Sequence, residues 1–294
     1  MSVSDAPSNP IQTEVLDGLA LANSIRSELG ESIAELVAAG HRAPCLAVVL
    51  VGDDPASRSY IKGKQRACAR IGMVSVEHML PASTSQDELL ALIGELNADD
   101  GIDGILVQLP LPEHISAAIV AEAVDPAKDA DALHPTTSGR LLAGTAELIS
   151  CTPLGIMAVL DHYSVPTEGA NAVVIGRSNI VGKPIALLLQ QRNATVTMCH
   201  SRTRDLPAVC READILVAAA GQPRMVKADW IKPGAAVMDV GVTELDGKLI
   251  GDVDFEAAIG RAGLITPSRR GIGPMTITML LRNTLLAYRN RKGV

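Results

Sequence analysis

The stretch VVIGRSNIVGKP, residues 173 to 184, joins an apolar strand to a helix through a turn that contains glycine and arginine. Gly176 allows a tight turn, and the helix that follows can direct unpaired backbone N–H groups and the positive end of its dipole toward a phosphate. Gly182 permits close contact between this helix and the sheet. The spacing G-x-S-x-x-x-G differs from the usual fingerprint G-x-G-x-x-G, so by itself it leaves open both nucleotide binding and a plain strand-to-helix turn.

Apolar strands alternate with helical segments on both sides of this turn. The predicted strands are NAVVIG (171–176), ATVTMCH (194–200), DILVAAAG (214–221) and AAVMDVG (235–241), and helices are predicted at about 180–191 and 204–213. This alternation is typical of a doubly wound parallel sheet. We therefore expect a Rossmann-type domain over residues 151–274.

The first half of the chain shows the same alternation. The predicted strands are CLAVVLVG (45–52), VSVEHMLP (74–81) and GILVQLPLP (104–112). Continuous apolar strands separated by helices predict a parallel sheet that is covered on both faces. The last stretch, residues 273–291, has apolar residues at helical spacing, and Pro274 suits a first helical turn. We expect two α/β domains, the first made of residues 1–150 and 275–294.

Composition excludes several classes of function. The net charge of -7 argues against a general basic surface for nucleic acid or membranes. The five cysteines are odd in number and never in C-x-x-C spacing, which argues against a disulfide framework and a zinc site, so we expect no metal. Residues 1–14 lack a basic segment followed by an apolar one. We therefore expect no signal peptide and a cytoplasmic location.

The residues after the second strand of the Rossmann-type domain indicate which dinucleotide binds. An NAD site usually has an acidic residue there that accepts hydrogen bonds from the ribose hydroxyls. Here the strand ends in CHSRT without an acid, while Arg177, Ser201 and Arg202 supply donors and positive charge. This combination favours the 2′-phosphate of NADP. The alternative is that both arginines are solvated loop residues.

A second group of candidate residues lies in the first half. Asp54 before Pro55 predicts the start of a helix, and Tyr60 and Lys64, four residues apart, share one face of it. Gln108 lies near the carboxyl end of a predicted strand, where open parallel sheets bind ligands. The alternatives are that Lys64 is an exposed helix lysine and that Gln108 bonds only to nearby backbone.

Eight motifs occur together in a specific order. They are SYIKGK, DGILVQLPLP, KDADALHP, CTP, VVIGRSNIVGKP, CHSRT, DVG and GIGPMT. In order and spacing the chain resembles the bifunctional methylenetetrahydrofolate dehydrogenase/methenyltetrahydrofolate cyclohydrolase family from about Asp17 to Thr284. The resemblance implies NADP-dependent oxidation of 5,10-methylenetetrahydrofolate, hydrolysis of the methenyl product to 10-formyltetrahydrofolate, and a homodimer.

The resemblance also implies roles for individual residues. Lys64 matches the catalytic lysine, Gln108 would orient Lys64 or the attacking water, Tyr60 would flank the folate ring, and Asp131 matches an aspartate that binds the pterin. The further residues that it implies for folate are Leu109, Pro110, Gly273, Pro274 and Thr276. Those that it implies for NADP are Thr152, Gly176, Arg177, Ser178, Gly182, Ser201, Arg202, Gly241 and Val242.

The chain departs from the family pattern in two places. Ala132 and Leu133 replace a glycine and an aromatic residue, and Ser268, Arg269 and Arg270 stand in a loop that is usually rich in proline and glycine. Either the loop adapts and both activities persist, or the chain is a divergent paralogue that binds folate with altered or lost activity. A non-catalytic folate- or nucleotide-binding protein is a further alternative. A dehydrogenase of another substrate would explain Gly176 and Arg177 but not the residues of the first half.

Overall fold

The computed structural model describes residues 11–245 and 247–294, which form two compact units. The Lys64 unit contains Leu19–Ala158 and Pro274–Val294. The Gly176 unit contains the described residues up to Gly18 together with Val159–Gly273. Most of the segment on which the expected lack of a signal peptide depends, residues 1–10, lies outside the described residues.

The secondary structure alternates between strands and helices along most of the chain. The strands are β1 Glu14–Val15, β2 Cys45–Val51, β3 Val74–Leu80, β4 Gly104–Val107, β5 Asn171–Ile175, β6 Thr195–Cys199, β7 Ile215–Ala218, β8 Ala236–Asp239, β9 Thr243–Leu245, β10 Lys248–Ile250 and β11 Leu264–Ile265. The helices are α1 Gly18–Ala38, α2 Pro55–Arg70, α3 Gln86–Ala98, α4 Ala117–Ala123, α5 Pro135–Leu142, α6 Cys151–His162, α7 Gly182–Gln191, α8 Leu206–Arg211, α9 Phe255–Ala258 and α10 Ile272–Lys292, with a 3₁₀ turn at Ala228–Trp230.

The Lys64 unit contains a parallel sheet with the strand order β3-β2-β4. All seven residues of β2 are buried, because this apolar strand lies in the centre of the sheet. The predicted helix start is confirmed, since the Asp54 carboxylate accepts a hydrogen bond from the Ser57 backbone N–H at 2.8 Å. This cap fixes the start of α2, the helix that carries Tyr60 and Lys64.

The Gly176 unit contains a parallel sheet with the strand order β1-β11-β8-β7-β5-β6. Strand β5 lies between β6 and β7, so the direction of winding reverses at β5. Open α/β sheets bind ligands outside the carboxyl ends of the strands at such a reversal. The predicted Rossmann-type sheet is confirmed, and its turn at Gly176 follows the strand at the reversal.

Strand β1 does not join the sheet of the residues that follow it. It pairs with β11, and the Thr13 hydroxyl donates to the Ala262 carbonyl at 2.7 Å, a contact between residues 249 apart in sequence. The domain predicted from the sequence groups residues 1–150 together, whereas the described residues up to Gly18 belong to the Gly176 unit. A two-residue strand with a distant partner carries no local pattern that would reveal this pairing.

Most predicted elements occur with small shifts at their ends. Strands β2 and β3 each end one residue before their predicted ends, whereas β4 ends at Val107 because Pro110 and Pro112 cannot donate to a strand ladder. Helix α7 begins at Gly182 and not at Ile180. The predicted C-terminal helix is confirmed as α10. Of the described helices, none is both long enough and apolar enough to cross a bilayer.

Candidate active site

Lys64 is a buried amine in the Lys64 unit. Its side chain is 4% exposed, and its Nζ atom donates a hydrogen bond to Gln108 Oε1 at 2.8 Å. Gln108 follows β4, and its Nε2 atom donates to the Leu109 carbonyl at 2.7 Å, which holds the amide with its oxygen toward the lysine. The alternative of an exposed helix lysine is wrong. Because two separate elements, α2 and the end of β4, supply the pair, its geometry is fixed by the fold.

The surroundings of Lys64 disfavour a positive charge on its amine. Burial lowers the pKa of Lys64 below its ordinary value, and the carboxylate of Asp131 acts in the opposite direction. The Nζ atom also lies 4.9 Å from the centre of the Tyr60 ring, within the range of a cation–π contact when the amine is protonated. Tyr60 is 37% exposed, so part of its surface remains accessible to a ligand.

Asp131 is half-buried in a loop that several side chains hold in place. Asn283 of α10 donates to the carbonyls of Ala130 at 2.9 Å and Ile149 at 2.8 Å. The Cys151 thiol donates to the same Ala130 carbonyl at 3.4 Å. Burial raises the pKa of this thiol well above its usual value, and Asp131 raises it further, so the thiol is neutral near pH 7. The loop therefore places a carboxylate near Lys64 while its backbone is anchored on α6 and α10.

The remaining residues that the resemblance implies for folate lie at two places in the chain. Leu109 and Pro110 directly follow Gln108, and the peptide bond between them is cis. Pro274 and Thr276 lie in the first turn of α10, where the Thr276 and Thr152 hydroxyls are 2.9 Å apart and share a hydrogen bond. Gly273 is exposed.

The turn at Gly176 is shaped by two glycines that leave no room for a side chain. Gly176 has a φ of 125°, and a Cβ there would overlap the Ala219 carbonyl. A Cβ on Gly182 would overlap the Gly176 carbonyl, so Gly182 packs against the turn itself. The Ser178 hydroxyl accepts from the N–H groups of Val181 at 3.1 Å and Gly182 at 3.3 Å. Together these contacts form a compact backbone cradle at the start of α7.

The basic residues predicted to select NADP lie at neighbouring strand ends. In the parallel pair β5 and β6, Ile175 is in register with Cys199. Arg177 therefore follows one strand, and Ser201 and Arg202 follow the other, at the same edge of the sheet. All three side chains are exposed. Gly241 and Val242 follow β8 at the same edge.

Comparisons with known proteins match both units of this fold. The catalytic-domain model of the tetrahydrofolate dehydrogenase/cyclohydrolase family matches residues 16–131, and its NAD(P)-binding-domain model matches residues 150–292. The chain belongs to the tetrahydrofolate dehydrogenase/cyclohydrolase family. Bifunctional protein FolD of Halothermothrix orenii is 53% identical over 93% of this chain and 97% of its own. Bifunctional protein FolD 2 of Geobacter sulfurreducens is 55% identical over 93% and 96%.

Solved structures of the family have the same fold. The bifunctional enzyme FolD from Campylobacter jejuni aligns with a TM-score of 0.92 and 46% identity, over 95% of this chain and 99% of that chain. A Trypanosoma brucei methylenetetrahydrofolate dehydrogenase-cyclohydrolase, solved with NADP and an inhibitor, aligns with a TM-score of 0.92 and 38% identity, over 96% and 99%. Each alignment therefore covers nearly the whole length of both this chain and the solved structure.

Both departures from the family pattern include a residue in a left-handed backbone conformation. Ala132, at a family glycine, has a φ of 55°, and Arg270, in the loop that is usually glycine-rich, has a φ of 66°. Such conformations cost non-glycine residues on the order of 1 kcal/mol. The Arg270 guanidinium forms a 2.7 Å ion pair with Asp17, which offsets part of this cost in its loop. The backbone conformation at both positions is one that favours glycine.

Some residues hold the site in place but have no recognisable signal in the sequence. Lys128 is buried, and its Nζ atom donates to three carbonyls at the end of α3, those of Leu96, Asn97 and Asp99. This contact anchors the segment that leads to Asp131. In the sequence, Lys128 is a lysine among acidic residues, and it cannot be distinguished there from a solvent-exposed lysine. Among the described residues, no group of three or more His, Cys, Asp or Glu side chains is arranged to hold a metal ion.

Proposed function

We propose that this chain oxidises 5,10-methylenetetrahydrofolate with NADP to the methenyl compound and then hydrolyses it to 10-formyltetrahydrofolate. The family and the near-complete coverage of bifunctional relatives support both reactions. The observation that carries the proposal is the buried Lys64 amine bonded to Gln108 at 2.8 Å. No comparison favours a divergent paralogue or a non-catalytic binding protein.

Lys64 is suited to the proton transfer that hydrolysis requires. Water that adds to the methenyl carbon must lose a proton before the ring opens. A lysine whose pKa is lowered by burial has a larger neutral fraction near pH 7, and a neutral amine can accept that proton. Gln108 accepts a hydrogen bond from the amine and so holds its lone pair in a fixed direction.

Asp131 is suited to bind the pterin end of the substrate. Its carboxylate offers two acceptor oxygens, which match the adjacent N–H groups of the pterin amino group and ring. The loop that carries it is anchored by Asn283 and Cys151. Tyr60 would flank the ring system of the folate beside Lys64.

The Gly176 unit fits a phosphate-bearing dinucleotide. A Cβ at Gly176 or Gly182 would overlap neighbouring carbonyl groups, so only glycine permits this compact turn between β5 and α7, and a turn of this kind before a helix suits a pyrophosphate. Arg177, Ser201 and Arg202 would hold the 2′-phosphate at the adjoining strand ends, and Gly241 and Val242 would border the nicotinamide half. When bound, NADP supplies a nicotinamide ring that accepts a hydride. The chain's part in that step is to bind and orient both molecules.

One assay of the purified protein tests both activities. With methylenetetrahydrofolate we expect NADPH to form, together with a methenyl absorbance that then decays, and we expect NAD to support a much lower rate. The cyclohydrolase activity is measured separately from the dehydrogenase activity by supplying methenyltetrahydrofolate alone. If neither NADPH formation nor methenyl decay exceeds the rate without protein, the proposed function is wrong.

We also propose that the enzyme is a homodimer that assembles through β3. The β4 edge of its sheet is covered, since Ile105 forms a bridge with Asp129. At the other edge, β3 has large exposed apolar side chains, which are Val74, Val76 and Met79. Open apolar strand edges are unusual in monomers and commonly pair with another chain.

The proposed location is cytoplasmic. All five cysteines are buried free thiols, which supports a reducing compartment.

The dimer proposal predicts the effect of one substitution. Val76→Lys places a charge on the exposed β3 edge, and light scattering after gel filtration should then give the mass of a monomer, whereas the parent chain gives twice that mass. Leu142→Lys, at an equally apolar exposed position on α5, serves as the matched control and should remain dimeric. A monomeric parent chain, or a Val76→Lys variant that stays dimeric, would count against this interface.

A further inference from the structure

Asp252 is a fully buried carboxylate that none of the proposed catalytic steps uses. Its two oxygens accept hydrogen bonds from three successive backbone N–H groups, those of Ala220 at 2.6 Å, Gly221 at 3.0 Å and Gln222 at 2.7 Å. Residues 220–222 follow β7 at the carboxyl end of the sheet. A single carboxylate thus accepts from three successive backbone N–H groups of this loop through charge-assisted hydrogen bonds.

The same carboxylate borders the loop after the neighbouring strand. A Cβ on Gly241 would overlap the Asp252 carboxyl group, so the backbone after β8 packs directly on this side chain. Strands β7 and β8 are adjacent in the sheet. Asp252 therefore fixes the spacing of two loops that border the carboxyl edge of the sheet.

The position of Asp252 is itself fixed from the opposite side. The buried Asp239 carboxylate accepts from the backbone N–H groups of Asp252 at 2.8 Å and Val253 at 3.2 Å. Gly251 allows this contact, because a Cβ there would overlap Asp239. The backbone of Asp239 is held in turn by the Thr266 hydroxyl at 2.7 Å. This chain of contacts leaves Asp252 little freedom to move.

The loop after β7 also touches the turn at Gly176. Its first residue, Ala219, places its carbonyl against Gly176, at the strand where the winding reverses. A displacement of residues 219–222 would therefore alter both the cradle for the pyrophosphate and the border of the nicotinamide half.

We propose that Asp252 is a positioning residue for the dinucleotide, because its carboxylate holds the loop after β7, which contacts the Gly176 turn, and packs against the loop after β8. This inference rests on the proposed function for the identity of the ligand. It does not place Asp252 in contact with the dinucleotide or with folate. Asp252 instead maintains the conformation of the loops at the carboxyl edge of the sheet, where the dinucleotide is proposed to bind.

The test uses the full-length chain and separates the two activities. Asp252→Asn replaces one acceptor oxygen with an amide that faces backbone N–H groups, and Asp252→Ser keeps a smaller acceptor without such an amide. We expect each variant to raise the KM and the Kd for NADP by about tenfold or more, because the loop after β7 loses the charge-assisted hydrogen bonds that hold it in the conformation that binds. The kcat of the dehydrogenase should change less than the KM. Hydrolysis of methenyltetrahydrofolate should stay within about twofold of the parent rate, because that chemistry uses Lys64 in the other unit.

The matched control is Asp254→Asn. Asp254 lies two residues away and pairs with Lys227 near the surface, so this variant should bind NADP normally.

The outcomes distinguish the inference from a merely structural role. Unchanged NADP binding in both Asp252 variants overturns it, and so does an equal loss of both activities with a lowered melting temperature. Binding of NADP alone is measured by calorimetry, so this result does not depend on turnover. If the parent chain binds NADP but shows neither activity, the proposed function fails while the positioning role is still decided by the binding data.

Discussion

Lys64→Met should reduce hydrolysis of methenyltetrahydrofolate by at least about 100-fold, the lower range of what a positioned acid–base group contributes. Methionine has a similar length and is apolar, so it fills the buried site without the amine. The melting temperature should change little, because removing an amine whose charged form burial disfavours is offset by the loss of the donor to Gln108 Oε1. The affinity for NADP should stay nearly unchanged, because all the predicted dinucleotide residues except Thr152 lie in the other unit.

The control for this experiment is Lys62→Met, which removes an exposed lysine from the same helix and should retain full activity.

The pH profile of hydrolysis gives a second check on the role of Lys64. Because burial lowers the pKa of Lys64, the neutral amine that accepts the proton increases as pH rises through a range below the ordinary lysine value of about 10.4. The hydrolysis rate of the parent chain should rise over that range, and the residual rate of Lys64→Met should not follow it. Undiminished hydrolysis in Lys64→Met would remove this residue from the mechanism.

Arg177→Ala should shift the preference between the two dinucleotides. If Arg177 binds the 2′-phosphate, its loss removes a charge-assisted contact that NAD cannot make, so the KM for NADP should rise by about 10- to 100-fold while that for NAD changes little. Arg177 and Arg202 follow adjacent strands, so the double variant should lose most of the remaining discrimination.

Arg192→Ala is the matched control for the arginine substitutions. This exposed arginine lies after the other end of α7, where it pairs with Asp161 at 3.0 Å, and its loss should affect neither dinucleotide. Steady-state rates with NADP and NAD in parallel give the comparison. Equal losses for both dinucleotides in Arg177→Ala would refute the phosphate assignment and favour a general role of the turn.

The sequence predicts those features of the site that depend on local pattern. The Asp54 cap, the spacing of Tyr60 and Lys64 on one helix, and the position of Gln108 near a strand end follow from periodicity and capping rules. The pairing of Lys64 with Gln108, 44 residues apart, depends in addition on how α2 and β4 pack together. The resemblance to the family adds the chemistry that these residues would perform.

Other features depend on contacts that no local pattern encodes. Asp252 reaches residues 220–222 about thirty positions earlier, and in the sequence it is one acid among several in GDVDFE. Lys128 looks like a surface lysine until its three carbonyl partners are known. Buried charged groups of this kind are recognised only when the fold supplies their partners.

The left-handed conformations of Ala132 and Arg270 bear on how relatives of this chain are recognised. A search that demands glycine at these two positions would discard the chain, although its backbone follows a course that glycine prefers. At both positions the chain adopts a bend that suits glycine with a larger residue, at a cost on the order of 1 kcal/mol each. Sequence screens for such enzymes should therefore not require glycine at these two positions.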